Sequence, residues 1–182
     1  MSTARPLLAA SLLAGVLACA PKPQQWSPPT AEVGEDAFMV DADFTCFQNW
    51  PQVGNSYFGM LSGSHGPAYA AADQGQLPYP VGTIVQMFPG EAMVKRHAGF
   101  SPETDDWEFF KLKTVDGQTV IVERGTTEIK NIAGGCAECH AAAAETHDWV
   151  CGAEGGCEPL PDFVVKRAHR AVEKDSRCEK RD

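Results

Sequence analysis

Soft metal ligands are concentrated in one short segment of the chain. Residues 134–157 hold four of its seven cysteines and two of its five histidines. The segment contains CAECH, in which Cys136 and Cys139 are three residues apart and His140 follows directly. This is the attachment pattern of haem c, in which two thiols bond the porphyrin vinyl groups and the histidine ligates the iron. We therefore predict one covalent haem c, with His140 as an axial ligand.

Two other chemistries use cysteines at this spacing. Half of a zinc site and a thioredoxin-like redox pair both contain CxxC. The sequence has no second CxxC or paired histidines at zinc-finger spacing, and a redox pair does not need the adjoining His140. Haem c accounts for all three residues. A second metal site formed by Cys151, Cys157 and His147 is a further alternative.

The N-terminal residues have the composition of an export signal. Arg5 precedes an uncharged run over residues 6–20, which is too short to span a bilayer as a helix. The VLAC sequence ending at Cys19 is similar to the bacterial lipobox, whose cysteine is lipidated after cleavage. An ordinary signal peptide is the alternative. We predict a signal peptide over residues 1–18, lipidation of Cys19, and a lipid-anchored protein in the bacterial periplasm or at the outer membrane.

Charge and composition limit the partners and the number of domains. Without residues 1–18, the chain has 14 lysines and arginines against 24 aspartates and glutamates, a net charge near −10. Such a surface repels phosphate groups, so we expect no nucleic acid partner. Residues 20–37 are rich in proline and polar residues, which is typical of a flexible linker. We expect a lipidated cysteine and tether over residues 19–37 and a single haem-binding domain over residues 38–182.

Local patterns predict antiparallel strands flanked by helices. Two pairs of strand-like runs are each separated by a turn dipeptide. The runs are residues 82–88 and 91–97 around Pro89-Gly90, and residues 106–115 and 118–125 around Asp116-Gly117. Residues 67–74 and 161–173 have the composition and periodicity of helices. The predicted class is α+β, a small and mostly antiparallel β domain with flanking helices and the haem on a CxxCH helix.

Three motifs, YPVGTIVQMF, DDWEFF and CAECHAAAAETHDWV, resemble those of the cytochrome P-460 family. That family has a strand beginning Pro-x-Gly-Thr, a Trp-x-Phe-Phe strand, and CxxCH followed by an acidic and an aromatic residue. The matching positions are Pro80, Gly82, Thr83, Trp107, Phe109, Phe110, Asp148 and Trp149, beside the CxxCH residues. The similarity covers residues 45–151 and leaves residues 152–182 as a C-terminal extension. It implies a β domain with one c-type haem and His140 as its proximal ligand.

The resemblance also indicates which activities to expect. In the founding members a lysine bonds the porphyrin and the protein oxidises hydroxylamine, whereas the related cytochromes c-prime-beta lack that bond and bind nitric oxide. Alignment on Gly82 and Thr83 puts Met87 at the lysine position. We therefore expect binding of nitric oxide or a similar small nitrogen ligand. Electron transfer to a redox partner protein, with Met87 as sixth ligand, and a hydroxylamine-type oxidoreductase are the alternatives, so enzymatic activity stays open.

The register of the first hairpin decides whether Lys95 can replace the missing lysine. A two-residue loop at Pro89-Gly90 would pair Ile84 with Lys95 and point Lys95 away from the apolar face. That face would carry Val85, Met87, Ala92 and Val94. The sequence then predicts an uncrosslinked haem beside an apolar wall that includes Met87. A longer loop is the alternative, because Pro-Gly is not a favoured two-residue hairpin turn.

The remaining cysteines are expected to form disulfides. Cys46, Cys151, Cys157 and Cys178 allow three pairings. Cys151 and Cys157 enclose GAEGG, which is flexible enough to reverse the chain. We predict that Cys151 pairs with Cys157 and Cys46 with Cys178. The other histidines, His65, His97, His147 and His169, are expected to be surface or hydrogen-bonded residues.

Overall fold

The computed structural model describes residues 39–131, 133–152 and 156–178. The predicted signal peptide, Cys19 and the tether lie outside these residues. The strands are β1 Gln52–Val53, β2 Ser56–Met60, β3 Thr83–Gln86, β4 Glu91–Lys95, β5 Trp107–Val115, β6 Gln118–Gly125, β7 Lys130–Asn131 and β8 Gly134–Gly135. The α-helices are α1 Gly66–Gln74, α2 Cys136–His140, α3 Ala144–His147 and α4 Asp162–Glu173. Short 3-10 helices cover Asp41–Asp43, Pro102–Thr104 and Ala141–Ala143.

Strands β1 to β6 form one antiparallel sheet in sequence order. Both predicted hairpins are present, and α1 and α4 each begin within one residue of the predicted start. The α+β class is therefore confirmed. The sequence did not reveal β1 and β2, because two and five residues are too few for a clear alternation. Strands β7 and β8 pair separately, directly before α2.

The β5–β6 hairpin forms where the Asp-Gly dipeptide predicts it. Val115 pairs with Gln118, so the loop has two residues, Asp116 and Gly117. Their φ angles are +50° and +77°. A two-residue loop of this kind needs positive φ at both positions, which Asp and Gly tolerate.

The sheet buries side chains on both of its faces. One face, here called the α2 face, packs against Ala137 of α2. Its cluster contains Phe58, Tyr79, Val85, Met93, Trp107, Phe109, Ile129, Trp149 and Val150. The opposite face buries Met39, Phe44, Ile84, Ala92, Val94, Phe110 and Leu112.

The β3–β4 hairpin has a different register from the predicted one. Ile84 pairs with Val94 and Val85 with Met93, so four residues, 87–90, connect the strands. A two-residue turn requires positive φ at its first position, and proline cannot adopt it. The shift by one residue exchanges the faces of the second strand. Lys95 therefore lies on the α2 face, opposite Trp107 of β5.

The residues predicted to form the apolar wall therefore do not share one face of the sheet. Val85 lies on the α2 face, whereas Ala92 and Val94 are buried on the opposite face. Met87 lies in the connection after β3, is only partly buried, and belongs to neither described cluster. The α2 face is still apolar near its centre, but Phe58, Val85, Met93 and Phe109 form it.

The C-terminal extension is fastened to the segment before β1. Cys46 and Cys178 form a disulfide, as predicted. Arg177 Nη1 donates to the Phe44 carbonyl at 3.3 Å, and its guanidinium lies over the Phe47 ring. Gln48 Nε2 donates to the Val172 carbonyl of α4 at 2.5 Å. These contacts place the end of α4 next to the start of the described chain.

Candidate haem site

The CxxCH residues form α2, which begins directly after β8. The backbone N–H of Cys136 donates to the Ile129 carbonyl at 2.9 Å, and Ala137 is buried in the cluster of the α2 face. Cys136 is partly buried and Cys139 is exposed. Both have free thiols, whereas the other four described cysteines form disulfides. The two thiols predicted to bind haem are thus one helical turn apart and available.

His140 has one ring nitrogen tied to the backbone. Its Nδ1 lies 2.7 Å from the carbonyl oxygen of Trp149. A carbonyl only accepts, so Nδ1 carries the proton and donates. Burial lowers the pKa of His140, which favours the neutral imidazole. The unprotonated Nε2 is therefore the nitrogen that can ligate a metal.

The imidazole of His140 packs on the apolar centre of the α2 face. The ring of Phe109 is 5.4 Å from it, centroid to centroid. Phe109 pairs with Met93, which pairs with Val85, so these three side chains form one row across β5, β4 and β3. Cys151 Sγ lies 3.5 Å from Nδ1. The His140 ring thus contacts the Phe109 ring and the Cys151 sulfur, while its Nδ1 donates to the Trp149 carbonyl.

The predicted Cys151–Cys157 disulfide is present and lies against the haem motif. Cys157 Sγ is 3.7 Å from the carbonyl oxygen of Cys139. Gly156 has φ of +88°, and a Cβ added there would be 2.7 Å from Ala143 Cβ. Because both cysteines are oxidised, they cannot act as thiolate ligands, and the alternative metal site with His147 is wrong. Among the described residues no cluster of three or more potential metal ligands is found.

Burial also changes the chemistry of the first thiol. It raises the pKa of Cys136 to about 11, with Glu91 and Cys139 adding to the rise. Burial likewise raises the pKa of Glu91, which accepts a weak hydrogen bond from Asn131. The Cys136 thiol is therefore protonated at neutral pH in the haem-free chain.

A buried carboxylate lies on the same face, beside Trp107. Asp148 Oδ1 accepts from Lys95 Nζ at 2.5 Å and from Trp107 Nε1 at 3.3 Å, and its Oδ2 accepts from the Tyr79 backbone N–H at 2.7 Å. Asp148 and Lys95 are each 8% exposed. Burial and the Asp148 charge raise the pKa of Tyr79. The sequence reasoning matched Asp148 to a family motif but did not identify its partners, which lie 41 to 69 residues away.

The donor set of α2 fits haem c. Two free thiols and a neutral imidazole with an unprotonated nitrogen are the groups that such a haem requires. The other histidines have different surroundings: His65 lies beside Trp50, His97 beside Phe100, and His169 is exposed on α4. Met93 and Met60 belong to the cluster around Phe109, whereas Met87 does not.

No protein family model, curated protein or solved structure matches the chain. The similarity to the cytochrome P-460 family therefore rests on the motifs, and the function on the chemistry of this site. In residues 39–131, 133–152 and 156–178, no helix has the length and apolar character needed to cross a membrane.

Proposed function

We propose that the protein is an exported, lipid-anchored cytochrome with one c-type haem, which binds nitric oxide or a similar small nitrogen ligand. The observation that carries the proposal is the state of α2. Its two cysteines are free, and the His140 Nδ1 proton is committed to the Trp149 carbonyl. In an oxidising compartment, six cysteines in one domain are expected to pair unless two are reserved.

Each residue of the motif has a separate role. A bound haem would supply an iron that can bind a small ligand. Cys136 and Cys139 would hold the group in place, each adding its sulfur and its hydrogen across one vinyl double bond. His140 would present Nε2 to the iron, and the hydrogen bond from Nδ1 to Trp149 holds the ring in one orientation.

The residue at the crosslink position distinguishes the two activities that the resemblance implies. Met87 stands where the crosslinking lysine of the founding P-460 members is expected. This substitution supports nitric oxide binding without hydroxylamine turnover.

The position of Lys95 bears on the alternative of a hydroxylamine-type oxidoreductase, which can be tested directly. It lies on the α2 face rather than away from it, so its position alone does not exclude a bond to porphyrin. Its Nζ is, however, paired with Asp148 at 2.5 Å. An amine that bonds the porphyrin would have to leave this ion pair. The proposal therefore contains no crosslink.

The test is the optical spectrum of the reduced protein, recorded with and without nitric oxide. We expect a five-coordinate, high-spin ferrous spectrum that changes on addition of nitric oxide, and no hydroxylamine turnover. A low-spin ferrous spectrum that becomes high-spin in Met87→Ala would indicate methionine ligation and an electron carrier. A lysine–porphyrin adduct in the intact mass, lost in Lys95→Ala, would indicate an oxidase.

A further inference from the structure

We propose that Asp148 and Lys95 are positioning residues. They hold the Trp149 carbonyl where it accepts the hydrogen bond from His140 Nδ1, and they thereby set the reduction potential of the iron. This inference rests on the proposed haem function. It concerns the buried hydrogen bonds around Asp148, which lie beside the CxxCH motif rather than within it.

Three parts of the chain converge on the Asp148 carboxylate. Lys95 is at the end of β4, Trp107 is at the start of β5, and Tyr79 lies in the segment before β3. All four residues are less than a tenth exposed. Lys95 Nζ also lies 5.2 Å from the centre of the Trp107 ring, which adds a cation–π contact. Because two of its donors come from adjacent strands and the third from the segment before β3, the carboxylate is fixed relative to the sheet.

Asp148 begins an uncommon backbone turn. Its φ is +45°, and that of Trp149 is +66°. Asp tolerates this left-handed region, but a bulky residue such as Trp rarely adopts it. Such a conformation persists only where the surroundings impose it, and strain of this kind is found at functional sites. Here the contacts of Asp148 with the sheet impose this left-handed conformation.

The turn brings one carbonyl to the axial histidine. After Asp148 the chain doubles back, so that the Trp149 N–H donates to the Ala143 carbonyl at 3.3 Å and the Val150 N–H to the His147 carbonyl at 3.0 Å. In this conformation the Trp149 carbonyl accepts from His140 Nδ1 at 2.7 Å. The position of the Trp149 carbonyl therefore depends on the ion pair between Asp148 and Lys95.

This hydrogen bond has a chemical consequence for the iron. Donation from Nδ1 makes the imidazole more basic and fixes its orientation, and loss of such partners typically changes metal binding 10- to 100-fold. A more basic ligand favours the ferric over the ferrous state. If the preference for the ferric state falls tenfold, the reduction potential rises by 59 mV. We expect a rise of this size when the hydrogen bonds around Asp148 are broken.

The variants are Asp148→Asn and Lys95→Gln, with Glu108→Gln as the matched control. Asp148→Asn keeps the shape of the side chain but removes its charge, and Lys95→Gln leaves Asp148 its two neutral donors. Glu108 is 3% exposed and paired with Arg96 and Arg124. It neighbours Trp107 in β5 and points to the opposite face, so Glu108→Gln also breaks a buried ion pair, but away from His140.

The measurements use the full-length holoprotein: the reduction potential and the iron–histidine stretching frequency of the ferrous form. We expect a raised potential and a lowered frequency in Asp148→Asn and Lys95→Gln, and unchanged values in Glu108→Gln. If Asp148→Asn does not fold, Lys95→Gln decides the outcome.

Three results would overturn the inference. One is wild-type values in a folded Lys95→Gln protein, and another is an equal shift in Glu108→Gln, which would indicate a general structural effect. In both of these the proposed haem function would stand. Absence of haem from the wild type would instead overturn the proposed function together with this inference.

Discussion

The two disulfides close loops of very different length, which makes their contributions to stability distinguishable. The Cys46–Cys178 bridge spans 132 residues of sequence, whereas the Cys151–Cys157 bridge spans 6. In the chain-entropy description, a crosslink stabilises the folded protein by restricting the unfolded chain, and more so for a longer loop. That relation gives about 5 kcal/mol for the long loop and about 2 kcal/mol for the short one.

Other contacts hold the same two parts of the chain together beside the long bridge. Arg177 contacts Phe44 and Phe47, and Gln48 contacts Val172, so we expect the folded state to persist without the bridge. The double variants Cys46→Ser/Cys178→Ser and Cys151→Ser/Cys157→Ser avoid mispaired thiols. We expect the first to lose about 5 kcal/mol of unfolding free energy and the second about 2 kcal/mol.

Urea unfolding of the holoprotein, followed by circular dichroism, measures both losses. The first variant should also show a larger dependence of the unfolding free energy on urea, because its unfolded chain exposes more surface. An equal loss in both variants would refute the loop-length reasoning. A larger loss for the short bridge would instead show that its contacts with Cys139 and His140 dominate.

Three further predictions concern the lipid, the thiols and a carboxylate. Cys19→Ala should leave the protein uncut or release it from the membrane fraction, and unchanged partition would argue against lipidation. In haem-free protein, iodoacetamide should modify the exposed Cys139 before Cys136, whose pKa is about 11, as peptide mass spectrometry would show; equal rates would contradict this. The raised pKa of Glu91 means that the folded state binds its proton more tightly, so stability is lost as pH rises from 4.5 through the folded pKa. Glu91→Gln should remove this loss, and an unchanged pH profile would show that Glu91 is not its source.

Local signals in the sequence were sufficient for much of the fold. Asp116-Gly117 predicts its hairpin because both residues tolerate the positive φ that the turn needs. The disulfides followed from assigning Cys136 and Cys139 to haem and from the flexible GAEGG between Cys151 and Cys157, which leaves Cys46 for Cys178. These predictions succeeded because each depends on neighbouring residues or on a count of cysteines.

Contacts between distant residues were beyond such signals. The two-residue loop assumed at Pro89-Gly90 put Lys95 on the wrong face, since one residue of register reverses every side chain of a strand. The ion pair of Lys95 with Asp148 joins residues 53 apart, and only the folded sheet brings them together. The hydrogen bond between His140 and Trp149 likewise depends on the left-handed backbone at Asp148 and Trp149, which the residue types do not predict.

Covalent attachment of haem to α2 can be tested by peptide mapping of the protein matured in cells with haem-attachment machinery. We expect one haem that resists acid acetone and remains on the peptide containing Cys136, Cys139 and His140. Cys136→Ala/Cys139→Ala should lose this haem, while the Cys151–Cys157 and Cys46–Cys178 linkages remain. Free Cys136 and Cys139 thiols in the matured wild type, or haem that acid acetone extracts completely, would show that these cysteines do not bind haem covalently.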